Sequence, residues 1–201
     1  MKKYKINLSI DSVITTYVIL MGLFFYSCEN TIIDRSIINN GVVINEINYR
    51  SSNSFNPEDW VELHNPTNEI LAIGLWEFKD DNDGHVFTIQ ADEILSPGQY
   101  LILCEDTVAF KEYFPDVGNF IGNFGFGLKG EGDQVRLFNS SGLLVDEVDY
   151  NYVSPWPTAP NGTELTLELI HPSLDNDLGE NWAAADGNGT PGKINSVYDD
   201  E

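Results

Sequence analysis

The sequence has little of what builds a metal or redox centre. In 201 residues there are two cysteines, Cys28 and Cys104, and three histidines, His64, His85 and His171. No His-x-x-x-His pair or Cys-His cluster occurs, which excludes the usual zinc patterns. Two cysteines make no disulfide framework of the kind that secreted domains use. No Gly-x-Ser-x-Gly elbow occurs and no histidine stands in a nucleophile motif, so no serine triad can be read. The glycine-rich stretch from Gly118 to Gly132 lacks the following helix and the Lys-Ser/Thr pair of a phosphate loop. No enzyme is expected. Positive charge is scarce too: 10 Lys and Arg stand against 32 Asp and Glu, a formal net charge of -22. Phosphate binding needs a basic patch, so nucleic acid is excluded as a partner. What the charge supplies is solubility and attraction for cations.

What is present begins with a leader. Lys2, Lys3 and Lys5 form a positive start, and Val13 to Tyr26 is apolar apart from Thr15, Thr16 and Gly22. This run is too short for a comfortable span of about 20 residues and matches the apolar part of a secretory signal. It ends in Phe25-Tyr26-Ser27-Cys28 and resembles a lipoprotein signal, in which a small residue precedes the cysteine that is lipidated after cleavage. We therefore expect a signal peptide over residues 1–27, lipid on Cys28 and a tether over 28–40. The location implied is the cell envelope, at the outer membrane or cell surface. Loss of residues 1–27 removes three lysines and Asp11, leaving 7 basic and 31 acidic residues and a net charge of -24.

From Gly41 onward the chain alternates short apolar runs with turn residues. Val42–Ile47 and Trp60–His64 read as partner strands. In the second, Trp60, Glu62 and His64 face one way and Val61 and Leu63 the other. Further strands are read at Ile70–Ile73, Leu75–Phe78, His85–Ile89, Tyr100–Cys104, Gln134–Phe138, Leu143–Tyr150 and Leu165–Leu169. Asp80–Gly84 and Asn139–Gly142 read as hairpin loops. Thr107–Phe114 is the one helical stretch, capped by Asp106 and followed by Pro115. Residues 118–132 are expected to be an irregular loop pinned by aromatics, and Cys104 to pack as a small hydrophobe. Many short strands at this spacing mean an all-β sandwich over residues 41–195, with an acidic tail over 196–201.

The ordered set Val43–Ile47, Trp60–Pro66, Leu75-Trp76, Leu95–Leu103, Gly132–Phe138, Val145-Asp146, Trp156-Pro157, Asn181-Trp182 and Gly189–Asn195 resembles a bacterial lamin-tail domain. His64 stands where that pattern has an aromatic or aliphatic residue. The resemblance implies an immunoglobulin-like β-sandwich in a surface setting, and no enzyme. Such domains are accessory modules, often beside secreted nucleases, phosphatases or kinase-like domains.

Several residues are weighed as sites. Asn45, Glu46, Asp59, Glu62 and Asn65 lie on neighbouring strands; lacking metal-specific spacing, they read as structural. Asp81 and Asp83 are the calcium candidates. The helix-loop-helix calcium pattern fails around them, since Lys79 and Gln90 stand where acids belong. No cofactor is expected, calcium being the one ion left open. Trp156, held between two prolines, is the aromatic expected to be partly exposed, with Trp60 and His64 as further ligand-binding candidates. The expected function is a surface-anchored, non-enzymatic binding or adhesion module engaging an extracellular protein or glycan, held to the membrane by its lipid. The alternative is an accessory subunit of an extracellular hydrolase or nuclease system.

Overall fold

The computed structural model describes residues 41–200. The expected signal peptide, Cys28 and the tether lie outside the described residues. Twelve strands follow in chain order: β1 (Val43–Asn48), β2 (Trp60–His64), β3 (Leu71–Ala72), β4 (Glu77–Lys79), β5 (Phe87–Thr88), β6 (Ile94–Leu95), β7 (Tyr100–Cys104), β8 (Phe120–Gly122), β9 (Gly132–Phe138), β10 (Leu144–Asn151), β11 (Leu167–Leu169) and β12 (Trp182–Ala184). One helix, α1 (Thr107–Tyr113), stands between β7 and β8. A six-stranded sheet has the order β12-β11-β1-β2-β7-β8, a four-stranded sheet the order β10-β9-β4-β5, and β3 pairs with β6. Among the described residues no helix is long and apolar enough to cross a membrane.

The two larger sheets share one core. Val61 and Leu63 of β2 and Leu101 and Leu103 of β7 meet Phe78, Val135, Leu137 and Val148 of the opposite sheet. Strand alternation sends their neighbours to the other face, and there the six-stranded sheet is covered a second time. Over β2, β7 and β8 the cover is α1: Trp60, Ile102, Cys104 and Phe110 form a separate apolar cluster, with the Trp60 and Phe110 rings 5.8 Å apart. Asp106 starts the helix as its sequence suggests, its Oδ1 accepting from Val108 N at 2.8 Å and Ala109 N at 3.0 Å. Cover on both faces leaves every residue of β1 and β2 buried.

Three features depart from the sequence reading. The Gly118–Gly132 stretch is not wholly irregular: β8 runs parallel to β7, and Phe124 and Phe126 lie in the core. Gly122 permits this, since a Cβ there would lie 2.2 Å from the Cys104 carbonyl oxygen. Leu75 is not in a strand; it turns the chain at φ 64 and β4 starts at Glu77. Residues 196–199 are docked onto the sheet rather than forming a tail. Val197 N donates to Glu168 at 3.2 Å and Asp199 N to the Ile170 carbonyl at 3.2 Å, so Glu168 and the end of β11 hold this segment by its backbone.

Candidate functional site

The site begins with a break in the regularity of β1. Ile44 and Ile47 are three residues apart, so a regular strand would send them to opposite faces. Pairing with β2 shifts between Ile44 and Glu46, and this bulge turns both isoleucines inward. It also leaves Asn45 and Glu46 together on the outer face. Glu46 then stands opposite Glu62 of β2 and, on its other side, opposite Glu168 of β11. Three carboxylates thus sit abreast across three strands, all with no exposed surface. Like charges directly opposite one another destabilise a sheet unless donors answer them.

The donors come from the C-terminal segment. Thr190 N donates to Glu46 Oε1 at 3.0 Å and Thr190 Oγ1 to Glu168 at 2.7 Å. Gly192 N reaches Glu62 at 2.6 Å, and Ser196 Oγ reaches Glu168 at 2.7 Å. Within the sheet, Thr166 Oγ1 donates to Glu46 at 2.6 Å and Asn45 Nδ2 to Glu62 at 2.9 Å. Asn195 completes the seam, its amide donating to the carbonyls of Asn45 at 3.0 Å and Leu169 at 2.8 Å. Burial, reinforced by Glu62 and then Glu168, pushes the Glu46 carboxyl well above the usual carboxylate range. Burial carries Glu62 to about 8, against the pull of Gly192 N and Asn45. The arrangement fastens residues 189–197 across the sheet.

That segment builds one wall of a groove. His64 ends β2 and faces Tyr100, its registered partner at the start of β7; their rings stack at 4.2 Å and 15°. On the other side His171 lies 5.2 Å from Tyr198. These two imidazole–phenol pairs, with Pro66, Pro172 and Ile194, line a groove of about 760 Å³. Buried Asn65 holds the adjoining Pro66–Asn68 turn: its amide donates to the Glu69 and Leu95 carbonyls at 2.8 Å, and its Oδ1 accepts from Thr67 N at 3.0 Å. The His64 Nδ1–H donates to the Gln99 carbonyl at 3.1 Å, which leaves the lone pair on Nε2. Burial lowers the His64 pKa below its ordinary value and the Gln99 bond only partly opposes this. His171 has the opposite tautomer. Its Nδ1 accepts from Ser173 N at 3.1 Å, so Nε2 carries the proton.

The structure separates the other sequence candidates. Trp60 has no exposed surface and is wedged against Phe110 and Phe114, so it offers no face to a ligand. Trp156 is not partly exposed either: it is 8% exposed and packs against Trp182, ring centroids 6.0 Å apart. The expectation of exposure failed because the loop folds the ring back over β12. His64 alone of the three reaches the groove. The residues that sequence reasoning missed are Tyr100, His171 and Tyr198, together with Glu168. The last two of these groove residues sit in segments with no period to flag them.

Asp81 and Asp83 each face a basic side chain. Asp83 binds Arg136 at 2.9 Å, and Asp81 binds Lys129. Among the described residues, the set of three acids with oxygens mutually within 4.8 Å is Asp80, Asp81 and Asp133. Those oxygens are already engaged: Asp133 accepts from Lys129 N and Gln134 N at 2.9 Å, and Asp80 from Asn82 N at 2.8 Å. The motif thus reads as a hairpin loop closed by lysine and arginine. Calcium and magnesium, each at about 1 mM, are therefore expected to raise the melting temperature alike, and an ionic-strength-matched salt to reproduce most of the effect. A calcium-specific gain that disappears in an Asp81→Asn/Asp83→Asn double variant would contradict this.

A family model described as Lamin Tail Domain matches residues 37–152, more than half of the chain. The match takes in β1 to β10, whereas Glu168 and the segment that covers the three glutamates lie beyond it. No curated protein matches the chain.

Proposed function

The chain belongs to the lamin tail domain family, and from that premise we propose a surface-anchored, non-enzymatic binding module that engages an extracellular protein or glycan. The observation that carries the reading is the groove with its two imidazole–phenol pairs. Concave sites lined by aromatics and a few fixed polar groups are where small and extended ligands bind. This one is held on a rigid sheet, with one wall fastened by buried carboxylates, so its shape exists before the ligand arrives.

The same residues speak against catalysis. Ser173 Oγ lies 2.7 Å from His171 Nδ1, a distance that suits a nucleophile and its base. That nitrogen already accepts the backbone N–H of Ser173, so its lone pair is engaged in a local turn. The three buried glutamates are roofed by Thr190, Gly192 and Ser196 and offer no open face to a substrate.

Anchoring is tested at Cys28. A Cys28→Ser chain is expected to lose metabolic palmitate label and detergent partitioning; label that survives the substitution contradicts the lipid anchor. Binding is tested by capture on native envelope. A His171→Ala/Tyr198→Ala chain is expected to bind about tenfold less than the unchanged chain, as loss of aromatic anchors does at interfaces. Equal capture would remove the groove from the account.

A further inference from the structure

The charge distribution narrows the ligand. Of the chain as a whole, 21% is charged and the formal net charge is -22. At that density a groove of this size would ordinarily include at least one acidic side chain. Yet no Asp, Glu, Lys or Arg lines this one. Without a cation in the wall, an anionic ligand meets only the repulsive field of the molecule. The acid nearest the wall, Asp200, is already engaged, accepting from the Tyr198 hydroxyl at 2.6 Å, so a cationic ligand finds no carboxylate free in the wall to offset its desolvation. The phenols add no charge: burial, helped by Glu62, pushes Tyr100 up to about 12, and the hydrogen bond to Asp200 raises Tyr198 above its ordinary value. The groove thus selects for neutrality.

The backbone narrows it further. β2 and β7 lie in the interior of the six-stranded sheet, each paired on both sides. No free edge is offered at the groove for an extended peptide to join by main-chain hydrogen bonds. What the groove does offer is ring faces for stacking and short polar groups at their margins. Tyr198 is 39% exposed and Ile194 63%. Around them stand Asn68, Thr67 and Ser173. His64 Nε2 can accept a hydroxyl proton, and His171 Nε2–H can donate. Apolar ring faces beside paired donors and acceptors match a molecule whose own faces are C–H and whose edges are hydroxyl.

We propose that the groove between the His64–Tyr100 and His171–Tyr198 pairs takes a neutral saccharide of the cell envelope. This rests on the binding-module reading and names the ligand class for the same groove. The test uses the full-length chain, purified in mild detergent, and capture on native envelope in three forms: untreated, oxidised with periodate to cleave vicinal diols, and digested with protease. Capture is expected to fall about tenfold after periodate and to persist after protease. Soluble envelope polysaccharide is then split on an anion exchanger, and the competing activity is expected in the unbound, neutral fraction. Capture that survives periodate, capture lost to protease alone, or competition confined to the retained anionic fraction would each overturn the saccharide assignment. Tyr198→Ala and Ile194→Asp, both at exposed positions, keep the two readings apart. If both variants bind as well as the unchanged chain with equal melting temperatures, the groove itself is wrong. If both bind about tenfold less and periodate has no effect, only the saccharide is wrong.

Discussion

Replacing Gly189 with alanine is expected to lower the stability of the domain by about 3 kcal/mol and to loosen the C-terminal segment from the sheet. A Cβ at this position would lie 2.3 Å from Glu46 Oε1, 2.9 Å from Thr166 Oγ1 and 3.0 Å from Thr166 Cγ2. None of these atoms has room to retreat. Glu46 has no exposed surface, and its carboxylate is held by Thr166 at 2.6 Å and by Thr190 N at 3.0 Å. The backbone adds a second cost, because φ is +86° at Gly189. Gly187 separates the two terms. Its φ is +91°, yet a Cβ there meets nothing within 4 Å. Gly187→Ala should therefore cost only the backbone share, about 1 kcal/mol. Urea unfolding midpoints of the two variants check this. Equal losses at both positions would mean that the close approach over Glu46 is not real.

Stability should fall as pH rises from about 5.5 to 9, the reverse of the behaviour of a protein held by salt-bridged carboxylates. Burial raises six acids: Glu46 well above its ordinary range, Asp59 and Glu62 to about 8, Asp146 to about 7, and Glu105 and Asp133 above their ordinary values. Each binds a proton more tightly folded than unfolded. Their contribution is fully present below the unfolded values, near 4, and is lost as pH passes the folded values of 7 to 8. His64 acts in the other direction: its pKa is lowered by burial, so it opposes folding only as pH drops below about 6.5. Maximum stability is thus expected on the mildly acidic side. Between pH 5.5 and 9 the loss should reach about 4 kcal/mol, or roughly 10 °C in Tm for a domain of this size. Glu62→Gln should flatten the slope, since it removes one titrating group from the row. A Tm that is level or rising over this range would show that the glutamates are buried as ordinary anions.

The strands were legible because alternation is local. Val61 and Leu63 against Trp60 and Glu62, and the run Tyr100–Cys104 after a Ser-Pro-Gly turn, give their partners and faces directly. Alternation does not say what lies on the second face. Trp60 and Glu62 point away from the sandwich core and would be wet in a two-layer fold. They are dry because α1 and residues 189–197 arrive from elsewhere in the chain. The bulge at Asn45 was likewise invisible, since it changes the face of a side chain without changing composition. The groove was half legible. His64 stood out on its strand, and Tyr100 is its registered neighbour, but His171 and Tyr198 meet only through the docking of irregular segments. The acidic hairpin was legible as a turn, but its closing partners were not, since Lys129 and Arg136 reach it from 48 and 53 residues away.

Groove, glutamate row and pH behaviour all depend on the C-terminal segment lying across the sheet. Amide hydrogen exchange at Thr190, Gly192 and Val197 measures this directly, because these three N–H groups donate to Glu46, Glu62 and Glu168. Near pH 6 the three amides should be protected to the same degree as the β1 and β2 amides. They should lose protection together, ahead of those strands, as pH approaches 9. Exchange as fast as that of the exposed Asp81–Gly84 loop at every pH would contradict the account, since the segment would then be a free tail and the groove would have no second wall.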